Sequence, residues 1–98
     1  PYQESSVYVA PDESYLIFDS ERPGSSGKSD LYISFRRLNG SWSDAINLGE
    51  KINTPYAEWL PYMSPDGNYL FFSRSVNGQA DIYWVSAALI DKYKDRLV

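Results

Sequence analysis

The side chains able to do chemistry in this chain are carboxylates, hydroxyls and a few cations, because its 98 residues include no His and no Cys. A Ser-His-Asp triad, a Cys-His nucleophile and a zinc site of His and Cys ligands are therefore closed to the chain acting alone. It carries no Gly-rich phosphate loop, calcium-loop spacing or dinucleotide fingerprint. What survives is a carboxylate pair of the kind used in glycoside hydrolysis, for which Glu4, Glu58, Asp30 and Asp81 are available. Structural roles weigh more for two of them: Asp30 and Asp81 each open an expected strand just after a loop, where a short carboxylate accepts backbone N–H bonds. Asp12 and Asp66 follow prolines and are expected to fix turns. No catalytic residue, metal ligand or cofactor is assigned, and the chain is expected not to be an enzyme.

The elements that must position these groups are legible from an internal repeat. Pro1-Tyr2-Gln3-Glu4 matches Pro55-Tyr56-Ala57-Glu58, and Ala10-Pro11-Asp12 through Phe18 matches Ser64-Pro65-Asp66 through Phe72, both at a spacing of 54 residues. Asp30-Leu31-Tyr32-Ile33 matches Asp81-Ile82-Tyr83-Trp84 at a spacing of 51. The first copy therefore has three extra residues, placed in the Gly, Ser and Pro loop from Glu21 to Gly27, where an insertion leaves a core undisturbed. Within each copy short strands alternate with tight turns. The expected strands are Ser5 to Ala10, Tyr15 to Ser20, Asp30 to Arg36 and Trp42 to Leu48 in the first copy. In the second they are Trp59 to Ser64, Tyr69 to Arg74 and Asp81 to Val85. Asn39-Gly40 and Asn77-Gly78 suit two-residue hairpin turns, and connections this short make neighbouring strands antiparallel.

Nine Tyr, three Trp and four Phe favour a pleated, half-buried surface. Yet Tyr15-Leu16-Ile17-Phe18, Tyr69-Leu70-Phe71-Phe72 and Ile82-Tyr83-Trp84-Val85 are apolar on both sides, so these strands are expected to be covered twice. A four-stranded antiparallel unit of roughly 50 residues flanked by copies of itself is a propeller blade. The fold class expected is all-β: two antiparallel blades of a β-propeller with a short C-terminal helix. Residues 1–54 form a four-stranded blade, 55–86 a three-stranded blade and 87–98 the helix. An immunoglobulin-like sandwich is the next choice, but it gives no reason for the repeat.

Ser64-Pro65-Asp66-Gly67-Asn68-Tyr69-Leu70-Phe71-Phe72-Ser73, followed by Asp81-Ile82-Tyr83-Trp84-Val85, resembles the Pro-Asp repeat of TolB-like β-propellers, relatives of the WD-repeat propellers. The resemblance covers nearly all of residues 1–86, twice in register, and departs from the pattern in the first turn, which has Glu13-Ser14. The sialidase Asp box also marks a propeller hairpin, but Gly67 directly follows Asp66 and the spacing is wrong. The resemblance implies a ring of six to eight blades in a bacterial protein, periplasmic or at the cell envelope, working through protein–protein contact. Similar repeats also build the propeller portion of some hydrolases and lyases whose catalytic groups lie elsewhere, and that is the alternative function.

In a blade the first strand lies nearest the central channel. Tyr56, Glu58 and Trp59, with Tyr2 and Glu4 in the other copy, are therefore the expected binding group. Arg74 joins them because its counterpart is Ser20, so the repeat itself does not require a cation there. Trp42 and Trp84 are expected to pack between blades. From Ser86, a candidate N-cap, Leu89, Ile90, Tyr93 and Leu97 fall at helical spacing. The helix is expected to cover the open edge of the second blade.

Net charge is −4, with the two signs interspersed, so the positive footprint that nucleic acid needs is missing. No apolar run approaches the ~20 residues that span a bilayer, so membrane insertion is not expected. Lack of Cys fits either a reducing or an oxidising compartment. Two blades alone leave two apolar flanks, each roughly 500 Å² and about 12 kcal/mol at ~25 cal/mol per Å². The expected partners are therefore other copies of the chain, closing a ring as a homo-oligomer, or the remaining blades of a larger propeller. An envelope protein or small polar ligand would bind the assembled surface.

Overall fold

A computed structural model describes residues 6–21 and 29–95. They form two antiparallel sheets and one short helix. The first sheet has the order β1 (Val7–Val9), β2 (Tyr15–Ser20), β3 (Asp30–Phe35) and β4 (Ile46–Asn47). The second has the order β5 (Ala57–Met63), β6 (Tyr69–Val76) and β7 (Gln79–Ser86), and α1 (Leu89–Asp95) follows. The all-β class is thus observed; the sheets are open, and neither closes on itself.

In each sheet a proline turn joins the first two strands. Glu13 N–H reaches Ala10 O at 2.8 Å, and Gly67 N–H reaches Ser64 O at 2.9 Å. Asp12 and Asp66 take the expected turn role: Asp12 Oδ1 accepts Ser14 N–H and Ser14 Oγ–H, and Asp66 Oδ1 accepts Asn68 N–H and Ser64 Oγ–H. Asn77 and Gly78 both adopt positive φ, 52° and 83°, and make the two-residue hairpin between β6 and β7. Asn39-Gly40 behaves differently. Gly40 N–H bonds Arg37 O and Arg37 N–H bonds Ser41 O, so the loop has three residues and only Gly40 is left-handed, at φ 88°. The Asn39 side chain decides this by accepting both Ser41 N–H and Ser41 Oγ–H.

The expected fourth strand, Trp42 to Leu48, contracts to Ile46–Asn47 plus a single bridge between Arg36 and Trp42. Ser43 interrupts the ladder. Its hydroxyl, where a backbone carbonyl would stand, accepts the Phe35 N–H at 2.9 Å, and its own N–H bonds Phe35 O. In the second sheet β7 starts two residues before Asp81, so Asp81 lies inside a strand opposite Arg74 and does not open one.

The repeat is reproduced register for register. Tyr8 pairs Ile17 and Val9 pairs Leu16 in the first sheet, as Tyr62 pairs Phe71 and Met63 pairs Leu70 in the second. Ile17 pairs Ile33 and Phe18 pairs Tyr32, as Phe71 pairs Trp84 and Phe72 pairs Tyr83. The Phe18–Tyr32 rings stack at 6.0 Å and 20°, and the Phe72–Tyr83 rings at 6.1 Å and 18°. One irregularity separates the copies: a bulge between Trp59 and Tyr62, with Leu60 at φ 52°.

Because side chains alternate across a strand, each sheet has two faces. The front of the first carries Tyr8, Tyr15, Ile17, Leu31, Ile33 and Phe35. Its back carries Val7, Val9, Leu16, Phe18 and Tyr32. The front of the first sheet packs on the back of the second, so Ile17, Leu31, Ile33 and Phe35 share one core with Met63, Leu70 and Phe72. The sheets converge at β5, which touches β1, β2 and β3 and donates Glu58 N–H to Ser29 O at 2.9 Å. Face-packed sheets stand ~10 Å apart. Away from β5 the shared core is completed by Leu48 and Ile52 of the linker and Ile90 of α1.

Two expectations about covering are corrected. The helix does not run along β7; it turns back, placing Ile90 in the core and donating Tyr93 Oη–H to Leu48 O at 2.8 Å. Ser86 Oγ accepts Ala88 N–H one step ahead of the first helical turn, and Leu97 lies outside the described residues. The second correction concerns the rings expected between blades, which are not covered within this chain: Trp84 is 62% exposed on the front of the second sheet, which has no neighbour here, and Trp42, bridged to Arg36 of the first sheet, is 38% exposed.

Candidate binding site at the sheet ends

Arg74 and Glu58 sit opposite each other on β6 and β5, facing the shared core, with Arg74 Nε 3.1 Å from Glu58 Oε2. Glu58 is fully buried, which is tolerable only because it is paired and hydrogen-bonded. Thr54 supplies the rest: its N–H donates to Oε1 at 3.1 Å and its hydroxyl to Oε2 at 2.6 Å. Arg74 Nη2 donates to Ile52 O at 2.7 Å, and its guanidinium carbon lies 4.4 Å from the Tyr83 ring centre and 5.4 Å from that of Phe72. Both Glu58 oxygens and the Nε and Nη2 of Arg74 are engaged within the chain, and the cluster pins the linker to the second sheet.

The expected binding residues are therefore only partly gathered. Glu58 and Arg74 meet, but as a buried pair. Trp59 projects to the other face of β5, alongside Ser73 of β6, and is partly buried. Tyr56 is exposed and, with Pro55, Ala57, Ser75, Asn77 and Gly78, lines a recess of about 340 Å³ at the ends of β5 and β6. Tyr2 and Glu4 lie outside the described residues. Of the candidate carboxylates, Asp30 is buried and accepts Asn47 Nδ2–H at 3.0 Å, whereas Asp81 is exposed. Glu58 and Asp81 flank Arg74 in one cross-strand row, yet Glu58 presents no surface to a substrate. Among the described residues no three acidic groups gather as a metal site would require.

Two features escape a reading of the sequence. One is the linker pair Asn53-Thr54, whose only signal is a run of short polar side chains ahead of Pro55. The other is a larger recess of about 520 Å³ at the opposite sheet ends, between Tyr15, Asn68, Ser86 and Asp91. Its walls come from segments far apart in the chain, so no local pattern marks it. Tyr15 there is pushed above its usual ionisation range, first by burial and then by Tyr8 and Asp12.

No protein-family model, no curated protein and no solved structure matches this chain. Among the described residues no helix is long and apolar enough to cross a membrane.

Proposed function

We propose that this chain forms two consecutive blades of a TolB-like β-propeller, completed by self-association or by the other blades of a larger ring, and serves as a non-catalytic scaffold at the bacterial cell envelope for a protein or small polar ligand. The observation that carries the reading is the stacking rule: two sheets of the same register, the front of one on the back of the next. Sheets that all present the same two faces are what a blade array needs to shield both sides of each member.

Binding is favoured over catalysis by the state of the polar groups. Glu58 has three donors from Thr54 and Arg74 and is fully buried, so it offers no free oxygen to a substrate. The Tyr56 recess instead offers a phenol, a hydroxyl and an amide, which recognise a polar ligand by hydrogen bonding and stacking.

Titration of the isotope-labelled chain with sugars, nucleosides and short peptides, followed by amide shifts, tests the reading. Saturable shifts at Tyr56, Ala57, Asn77 and Gly78 that vanish in Tyr56→Ala support it. Shifts confined to Tyr15, Asn68 and Asp91 move the site to the opposite ends. Turnover of glycoside, ester or peptide reporter substrates by the purified chain overturns it.

A further inference from the structure

The front of the second sheet is a bare aromatic surface. Tyr62 and Phe71 stack on it at 5.1 Å, and Tyr69 meets Trp84 edge-on at 5.3 Å. Ile82 is 66% exposed, and a cleft of about 270 Å³ lies open between Tyr69, Phe71 and Trp84. Contiguous rings of this kind mark an interface. What covers them is indicated inside the chain. Tyr62, Tyr69, Phe71, Ile82 and Trp84 stand in the register places of Tyr8, Tyr15, Ile17, Leu31 and Ile33, and that set is closed by the back of the second sheet.

The closing surface also has its equivalent. Pro61, Met63, Leu70, Phe72 and Tyr83, on the back of the second sheet, correspond to Val7, Val9, Leu16, Phe18 and Tyr32 on the back of the first. Pro61, Met63, Leu70 and Phe72 are buried; in the first set Phe18 and Tyr32 are buried too, and Val7 and Val9 of β1 are 60% and 47% exposed. One chain thus carries an unoccupied front at one flank and, along the β1 margin of the matching back, two exposed valines at the other.

We infer that the occupant of the Tyr62–Trp84 face is a second copy of this chain, docked head to tail through the back of its first sheet. The inference rests on the scaffold reading and names the partner that reading leaves open. Such an interface is heterologous: the two surfaces differ, and each copy keeps one of each.

Sedimentation velocity over a micromolar concentration series, read with Trp fluorescence, tests it. The wild type should associate as concentration rises, with emission moving to shorter wavelength as Trp84 leaves water. Trp84→Glu and Val9→Glu each alter a residue exposed in the single chain, so both should melt cooperatively at a temperature independent of concentration, and both should stay monomeric. Mixed, they should form a one-to-one pair and stop, because the first variant keeps its back and the second its front. A Val9→Glu variant that still self-associates would mean front-to-front pairing and overturns the inference. A wild type that remains a folded monomer with Trp84 in water overturns it too, and makes the occupant a sheet of another or longer chain. Neither result touches the scaffold reading, which would fall instead if the chain lacked a cooperative melt and near-ultraviolet dichroism.

Discussion

Asn53 holds Leu31 as a strand neighbour would: its Oδ1 accepts Leu31 N–H at 2.8 Å and its Nδ2 donates to Leu31 O at 2.9 Å. Leu31 is fully buried at the centre of the first sheet; its N–H is satisfied here by a side chain of the linker, and its O is shared between that side chain and Leu48 N–H. Nδ2 also donates to Asn47 Oδ1, tying the linker to β4. Replacing Asn53 by Leu keeps the volume but orphans one buried donor, the Leu31 N–H, while Leu31 O keeps the Leu48 N–H at 3.1 Å. The expected loss is about 1–3 kcal/mol for that unsatisfied group, measured by denaturant unfolding. Asn53→Asp should recover less than half of it, since a carboxylate still accepts the Leu31 N–H but sets its charge against Leu31 O and Asn47 Oδ1, to which Asn53 Nδ2 donates.

Arg74→Ala should cost about 3–5 kcal/mol, the usual penalty when one member of a buried ion pair is removed. Glu58 would then keep only its two Thr54 donors. Arg74→Ala combined with Glu58→Gln should be less harmful than Arg74→Ala alone. A double-mutant cycle on thermal unfolding gives that coupling directly.

At Glu13 a non-glycine side chain sits at φ 59°, the place that Gly67 occupies at φ 76° in the second copy. Left-handed backbone costs such a residue roughly 1–2 kcal/mol. Glu13 also makes an exposed ion pair with Arg36 at 3.7 Å, and contacts of that kind are worth about 0–1 kcal/mol. Relief of strain wins, so Glu13→Gly should raise the melting temperature and Gly67→Glu should lower it.

The Asp12 carboxyl lies below its ordinary 3.8 because the Ser14 hydroxyl, then the Ser14 N–H, bonds its charged form. Asp66 is lowered in the same sense, first by the Ser64 hydroxyl and then by the Asn68 N–H. A carboxyl lowered by folding contributes its full stabilisation above pH 3.8 and loses it as pH falls through the folded value. The contribution of these two turns should therefore fade only below about pH 4, and carbon-detected titration should find both groups under 3.8. Ser64→Ala should move Asp66 back towards that value and leave Asp12 where it is.

Much of this architecture could be read from residue order. The Pro-Asp turns, the antiparallel pairing and the missing fourth strand of the second sheet follow from local turn chemistry and two-sided apolar strands. Three things did not. Ser43 and Asn39 redirect the backbone through their own side chains, a competition that propensity does not register. The helix returns to the linker because Tyr93 finds the Leu48 carbonyl, a contact between residues remote in sequence. At the candidate site, the repeat pointed to Arg74 as a surplus cation, but whether it met a ligand or Glu58 depended on side-chain direction across two strands.

The approach of the two sheets at β5 carries a last consequence. Along that margin backbone meets backbone, whereas on the far side the two layers are joined through side chains, Ile52 from the linker and Ile90 from the helix. How the second layer seats on the first is therefore set by the bulk of two isoleucines, and trimming either would loosen the pairing of the sheets without touching the hydrogen-bonded ladder of either one.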